Sequence, residues 1–144
     1  MRSVLPWFAL ATPGATDSLT VLDLLAHRQG LSSPAIGLLS AYTGQLTAER
    51  LHYWLARVKP RGRFAYNNLH YQIAGEVLAA RTRQPWARAV ESRVTRPLGM
   101  ERAAFTSEQL GRDPDAAVPY AWRQGRYEAL EPKSDRTMHA AGGM

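Results

Sequence analysis

Phe64 to Met100 reads FAYNNLHYQIAGEVLAARTRQPWARAVESRVTRPLGM, and the periodicity of this stretch decides the fold. Leu69, Ile73 and Val77 fall four apart with Ala74 and Leu78 beside them, so a helix starting at Leu69 presents one continuous apolar stripe. Asn68 stands where the N-cap of that helix belongs. Pro85 suits the first position of a following helix, with Trp86, Val90 and Val94 at i, i+4 and i+8 before Pro97 and Gly99 close it. At the mouth of the first of these helices, Phe64-Ala65-Tyr66-Asn67-Asn68 sets a phenol and a carboxamide two positions apart. That spacing suits proton transfer and amide binding.

Working outward, Thr20 and Asp23 resemble a capping box ahead of Val21, Leu22, Leu24 and Leu25, the apolar face of a short helix that Gly30 ends. Thr47 can cap another helix, with Glu49 in its first turn and Leu51, Trp54, Leu55 and Val58 at helical spacing until Pro60 stops it. Between the two, Ser32 to Gly44 holds Pro34, Gly37 and Gly44 and reads as irregular structure with a helical turn. Downstream, Tyr120-Ala121-Trp122 and Arg126-Tyr127-Glu128 flank Gln124-Gly125 as the arms of a small hairpin. The pattern is mainly α-helical with a little β structure, without an internal repeat or a domain boundary.

Ordinary globular proportions of apolar and charged residues argue for a chain that packs rather than one that stays disordered. The net charge of +6 comes almost wholly from dispersed arginines, and only Lys59 to Arg63 (KPRGR) is locally dense. It lacks interleaved stacking aromatics, so nucleic acid is not an expected partner. With no cysteine, disulfides and thiolate metal sites are excluded. His27, His52, His70 and His139 show neither an HExxH arrangement nor paired ligand spacing, and neither a metal nor another cofactor is expected. His27 is expected to orient local backbone. Ser32, Ser33 and Ser40 have no partnered base in the sequence pattern and read as surface hydroxyls. Met1 to Ala11 imitates a miniature secretion signal with an Ala-x-Ala-like end, but it is too short and is broken by Pro6. No window approaches the ~20 apolar residues of a membrane span, and the compartment stays open.

Taken together, these segments resemble the β-lactamase-related serine hydrolases, the family of class C β-lactamases, D-Ala-D-Ala peptidases and related esterases. Tyr66-Asn67-Asn68 matches the family's Tyr-x-Asn motif, Leu19 to Leu31 (LTVLDLLAHRQGL) is similar to its segment before that motif, and His139 to Met144 (HAAGGM) to its Gly-Gly stretch. The resemblance implies a mainly α segment of an α+β fold, β-lactamase/transpeptidase-like, in which most of the antiparallel sheet is missing. Residues 1–144 would form a partial domain, the helical region without the nucleophile segment or the C-terminal strands. Apolar faces that would pack on the sheet are then expected to be exposed or covered by another partner. Gly142-Gly143 implies close backbone packing near the active site.

Ser-x-x-Lys and Lys-Thr-Gly, the motifs of related class A β-lactamases and penicillin-binding proteins, are both absent. Ala56 and Leu130 stand three residues before Lys59 and Lys133, the only lysines. By resemblance Tyr66 is the proton-transfer residue, and Asn68 contacts the substrate amide or a lysine. An unperturbed phenol, with its pKa of about 10, is ionised to roughly one part in a thousand at pH 7. Lowering that value by three units takes about 4 kcal/mol, about what one cation near 4 Å supplies at an effective dielectric of 20. In the family, lysines of the two absent motifs have that role. The complete enzyme would open a small-molecule or peptide amide or ester through an acyl-serine, and this chain alone is expected to be inactive. A separate reading has a second polypeptide supply the missing segments. The alternative is a non-catalytic helical module on the same scaffold that binds a partner, with Lys59 to Arg63 as its contact. A Tyr beside a helix also serves as a packed aromatic, and an Asn as a cap.

Overall fold

The computed structural model describes residues 1–132, 134–137 and 139–142. In chain order it contains α1 (Pro13–Ser18), α2 (Val21–Leu25), α3 (Pro34–Ala41), α4 (Ala48–Leu55), α5 (Asn68–Thr82) and α6 (Trp86–Val90). A π-helical turn (Glu91–Thr95), α7 (Ser107–Gly111) and the strands β1 (Tyr120–Arg123) and β2 (Arg126–Ala129) follow. The fold is mostly helical, with a single two-stranded antiparallel sheet among the described residues.

Helix α5 organises the rest. Its stripe of Leu69, Ile73 and Val77 is buried, and the same core takes Leu24 from α2, Ile36 from α3, and Leu51 and Leu55 from α4. Leu5, Phe8 and Leu10, from the segment that imitates a signal, complete this core. Full burial of side chains of this size contributes about 1.5–3 kcal/mol each relative to exposure. Thr16 closes the N-terminal end by accepting the Leu10 N–H on its hydroxyl at 2.9 Å. Outside the core, Trp7 stacks on His52 with ring centroids 3.9 Å apart.

Several boundaries differ from the sequence reading. The capping box of Thr20 and Asp23 forms, but α2 ends at Leu25, and His27 already stands in the left-handed region at φ 53°. Of the expected α2 face only Leu24 is buried; Val21, Leu22 and Leu25 are exposed. Ser32 to Gly44 is not irregular: Ser33 caps α3 through the Ile36 N–H, and Pro34 occupies the first turn, where its missing N–H costs nothing. Two further short helices, α1 and α7, went unsignalled, although α7 carries a capping box between Thr106 and Gln109. Pro85 is the cap of α6 rather than its first residue. Past Val90 the helix widens, with Arg96 N–H reaching Glu91 O at 2.9 Å, and it stops at Gly99, φ 67°. The hairpin forms as read, with Trp122 opposite Tyr127.

The N-cap of α5 is Asn67, not Asn68. Asn67 has extended backbone and its Oδ1 accepts the Leu69 N–H at 2.9 Å, while Asn68 is already the first helical residue.

Candidate active site

Because Asn67 does the capping, the Asn68 side chain is released to the surface, where its Oδ1 accepts the Tyr66 hydroxyl at 2.9 Å. Tyr66 is 71% exposed, so its phenol is presented to solvent rather than packed inside. The structure brings together the two residues singled out in the sequence. They border a cleft of about 280 Å³ whose lining includes Ile36, Tyr42, Gln72 and His139, with no lysine or arginine among its described lining residues. Gln72 follows Asn68 by one helical turn, and Glu76 follows Gln72, so the polar side of α5 runs on to a smaller cavity beside Arg136. Partial burial holds the Glu76 carboxyl above the usual glutamate range, and nearby His52 acts in the opposite sense.

Support beneath the pair comes from two histidines. His27 accepts the Asn67 N–H on Nδ1 at 3.4 Å, and its carbonyl accepts the Ala65 N–H at 3.2 Å, so His27 does orient local backbone. Its ring lies 4.8 Å from that of Tyr66 and 5.3 Å from that of Tyr71. His70, fully buried, accepts the Leu31 N–H on Nε2 at 3.2 Å, and its Nδ1 meets the Asn67 carbonyl at 3.0 Å. Desolvation lowers the His70 pKa, as does the neighbouring His27, while the bond to Asn67 works against them. Neither His70 nor Asn67 is assigned a role by the sequence pattern. The available signal was a histidine in the first turn of the strongest helix.

The remaining expectations fare differently. A Cβ built on Gly142 would meet nothing within 4 Å among the described residues, and Gly143 lies outside them, as does Lys133. A close approach occurs at Gly75, where an added Cβ would stand 2.5 Å from Ala140 Cβ. Among the described residues no helix is long and apolar enough to cross a membrane. An apolar face is partly open: exposed Val21 and Leu25, with half-buried Ala74, Leu78 and Val90, line a groove of about 740 Å³. Tyr66 and Asn68 are not among the lining of that groove, and its walls hold few groups able to do chemistry.

Residues 3–144 match the family model described as Beta-lactamase. A protein assigned as a D-alanyl-D-alanine carboxypeptidase in Salmonella gallinarum is 26% identical over 105 residues, covering 68% of this chain and 24% of that protein. Among solved structures, the octameric penicillin-binding protein homologue from Pyrococcus abyssi superposes with a TM-score of 0.65 at 22% identity, over 99% of this chain and 37% of its own. EstCE1, a hydrolase with promiscuous acyltransferase activity, superposes with a TM-score of 0.60 at 25% identity, over 90% of this chain and 37% of its own. The chain thus spans about a quarter of the curated relative and little more than a third of either structure.

Proposed function

Since this chain belongs to the Beta-lactamase family of serine hydrolases, we propose that it carries the proton-transfer half of an acyl-serine active site for amide or ester hydrolysis. In this reading Tyr66 takes the proton of the attacking serine and returns it to the leaving group, while Asn68 hydrogen-bonds the substrate's amide or a neighbouring lysine. The observation that carries it is the exposed Tyr66–Asn68 hydrogen bond at the rim of a cleft. The phenol needs a cation nearby to be an effective base at neutral pH, and Ser-x-x-Lys and Lys-Thr-Gly segments supply both that cation and the nucleophile. A polypeptide bearing them would pack on the apolar groove between α2, α5 and α6.

The chain alone is therefore inactive toward a chromogenic cephalosporin and a nitrophenyl ester. Joined to the nucleophile-bearing segments, in one polypeptide or as a second one, it hydrolyses one of these substrates. Tyr66→Phe then lowers kcat by about 10²–10⁴, the usual span for a lost general acid–base group. Turnover by the isolated chain, or full activity of Tyr66→Phe in the completed enzyme, would overturn the assignment.

A further inference from the structure

We propose that His70 is a positioning residue for the Tyr66–Asn68 pair, a neutral imidazole of fixed tautomer that ties the Asn67 carbonyl to the Leu31 N–H. The inference rests on the reading of Tyr66 and Asn68 as the reacting pair. The bonding partners dictate the proton's location. A carbonyl oxygen only accepts, so Nδ1, 3.0 Å from Asn67 O, must carry hydrogen; an amide N–H only donates, so Nε2, 3.2 Å from Leu31 N, must be bare. An imidazolium would set a second donor against the Leu31 N–H in a site without solvent access. The lowered pKa of His70 agrees with that neutral state.

Asn67 stands between Tyr66 and Asn68 in the chain, and each of its polar groups is held. Its N–H goes to His27 Nδ1, its carbonyl takes both the backbone N–H and the ring of His70, its Oδ1 takes the Leu69 N–H, and its Nδ2 reaches Ser32 Oγ at 3.5 Å. His70 thereby couples the segment after α2, 39 residues earlier, to the residue that sets the separation of phenol and carboxamide. The titratable groups on the surrounding segments include His27 and Arg28 ahead of Leu31, Arg61, Arg63 and Tyr66 ahead of α5, and Tyr71, Glu76 and Arg81 on α5 itself, and the His27 ring centroid stands 4.7 Å from that of His70.

The test is made on the chain as it stands, by NMR at neutral pH. The ¹⁵N shifts of the His70 ring should show a protonated Nδ1 and a bare Nε2. His70→Leu should displace the ¹³Cζ resonance of Tyr66 and the side-chain amide resonances of Asn68. His70→Asn, whose amide keeps a donor near the Nδ1 position, should return them toward the wild-type positions. Leu55→Ala, a core truncation in α4, should leave them in place and serves as the control for general loosening. An Nε2–H tautomer or an imidazolium in the wild type overturns the proposal even if His70→Leu does not fold. So does a His70→Leu spectrum that matches Leu55→Ala at Tyr66 and Asn68. A fully active Tyr66→Phe enzyme would remove the catalytic reading while leaving these resonances as they are, so the two failures are separable.

Discussion

Asn67 Oδ1 holds the Leu69 N–H at 2.9 Å, and this one bond decides which of two adjacent asparagines caps α5 and which faces the cleft. Replacing the cap removes a partner from an otherwise orphan helix N–H. Asn67→Ala should therefore lower stability by about 0.5–2 kcal/mol, read from the urea midpoint. Asn68→Ala, at an exposed first helical position, should stay within about 0.5 kcal/mol of the wild type. The reverse ranking would mean that the two roles are exchanged.

The buried imidazole gives stability a pH dependence of known sign. The His70 pKa is held below its ordinary 6.5, so the unfolded chain binds the proton first as pH falls. The contribution of His70 is fully present above about pH 6.5 and is lost as pH drops through the folded-state value. Urea midpoints measured between pH 7.5 and 5 should fall for the wild type and fall less steeply for His70→Asn. Parallel curves would count against a neutral buried His70.

Gly75 meets Ala140 more closely than any side chain would allow. Gly75→Ala should gain up to about 1 kcal/mol of helix propensity but lose about 1–3 kcal/mol by forcing Ala140 aside, giving a net loss in the single variant. With Ala140→Gly present, the same change should become neutral or stabilising. A double-mutant cycle of thermal midpoints reads the coupling directly.

Leu25 is 45% exposed on α2 and lines the apolar groove. Leu25→Glu should scarcely alter the unfolding midpoint of the isolated chain, yet it should reduce hydrophobic-dye binding. It should also block restoration of activity by nucleophile-bearing segments. Undiminished restoration would place those segments elsewhere on the surface.

What could be read in advance was whatever depended on neighbours in the chain. The α5 stripe from Leu69 to Val77 and the Gln124-Gly125 hairpin rest on periodicity and turn chemistry, and both form as expected. Helix α3 was hidden because Pro34 and Gly37 look like breakers until the Ser33 cap shows that Pro34 sits in a first turn. Two consecutive asparagines gave no local basis for choosing the cap, since the bonds from His27 and His70 to the Asn67 backbone come from the folded structure. The Tyr66–Asn68 spacing was visible; the scaffold under it was not, because Leu31 and His70 meet only in three dimensions.

Phe8, 1% exposed, is one of the largest fully buried side chains, and the Ala11 N–H donates to the Val58 carbonyl at 3.0 Å just past α4. The segment from Leu5 to Ala11 is accordingly a plug seated in the folded body. A protease cutting after Ala9 or Ala11 would uncork the interior, and limited digestion of the native chain should spare both bonds until the whole molecule opens.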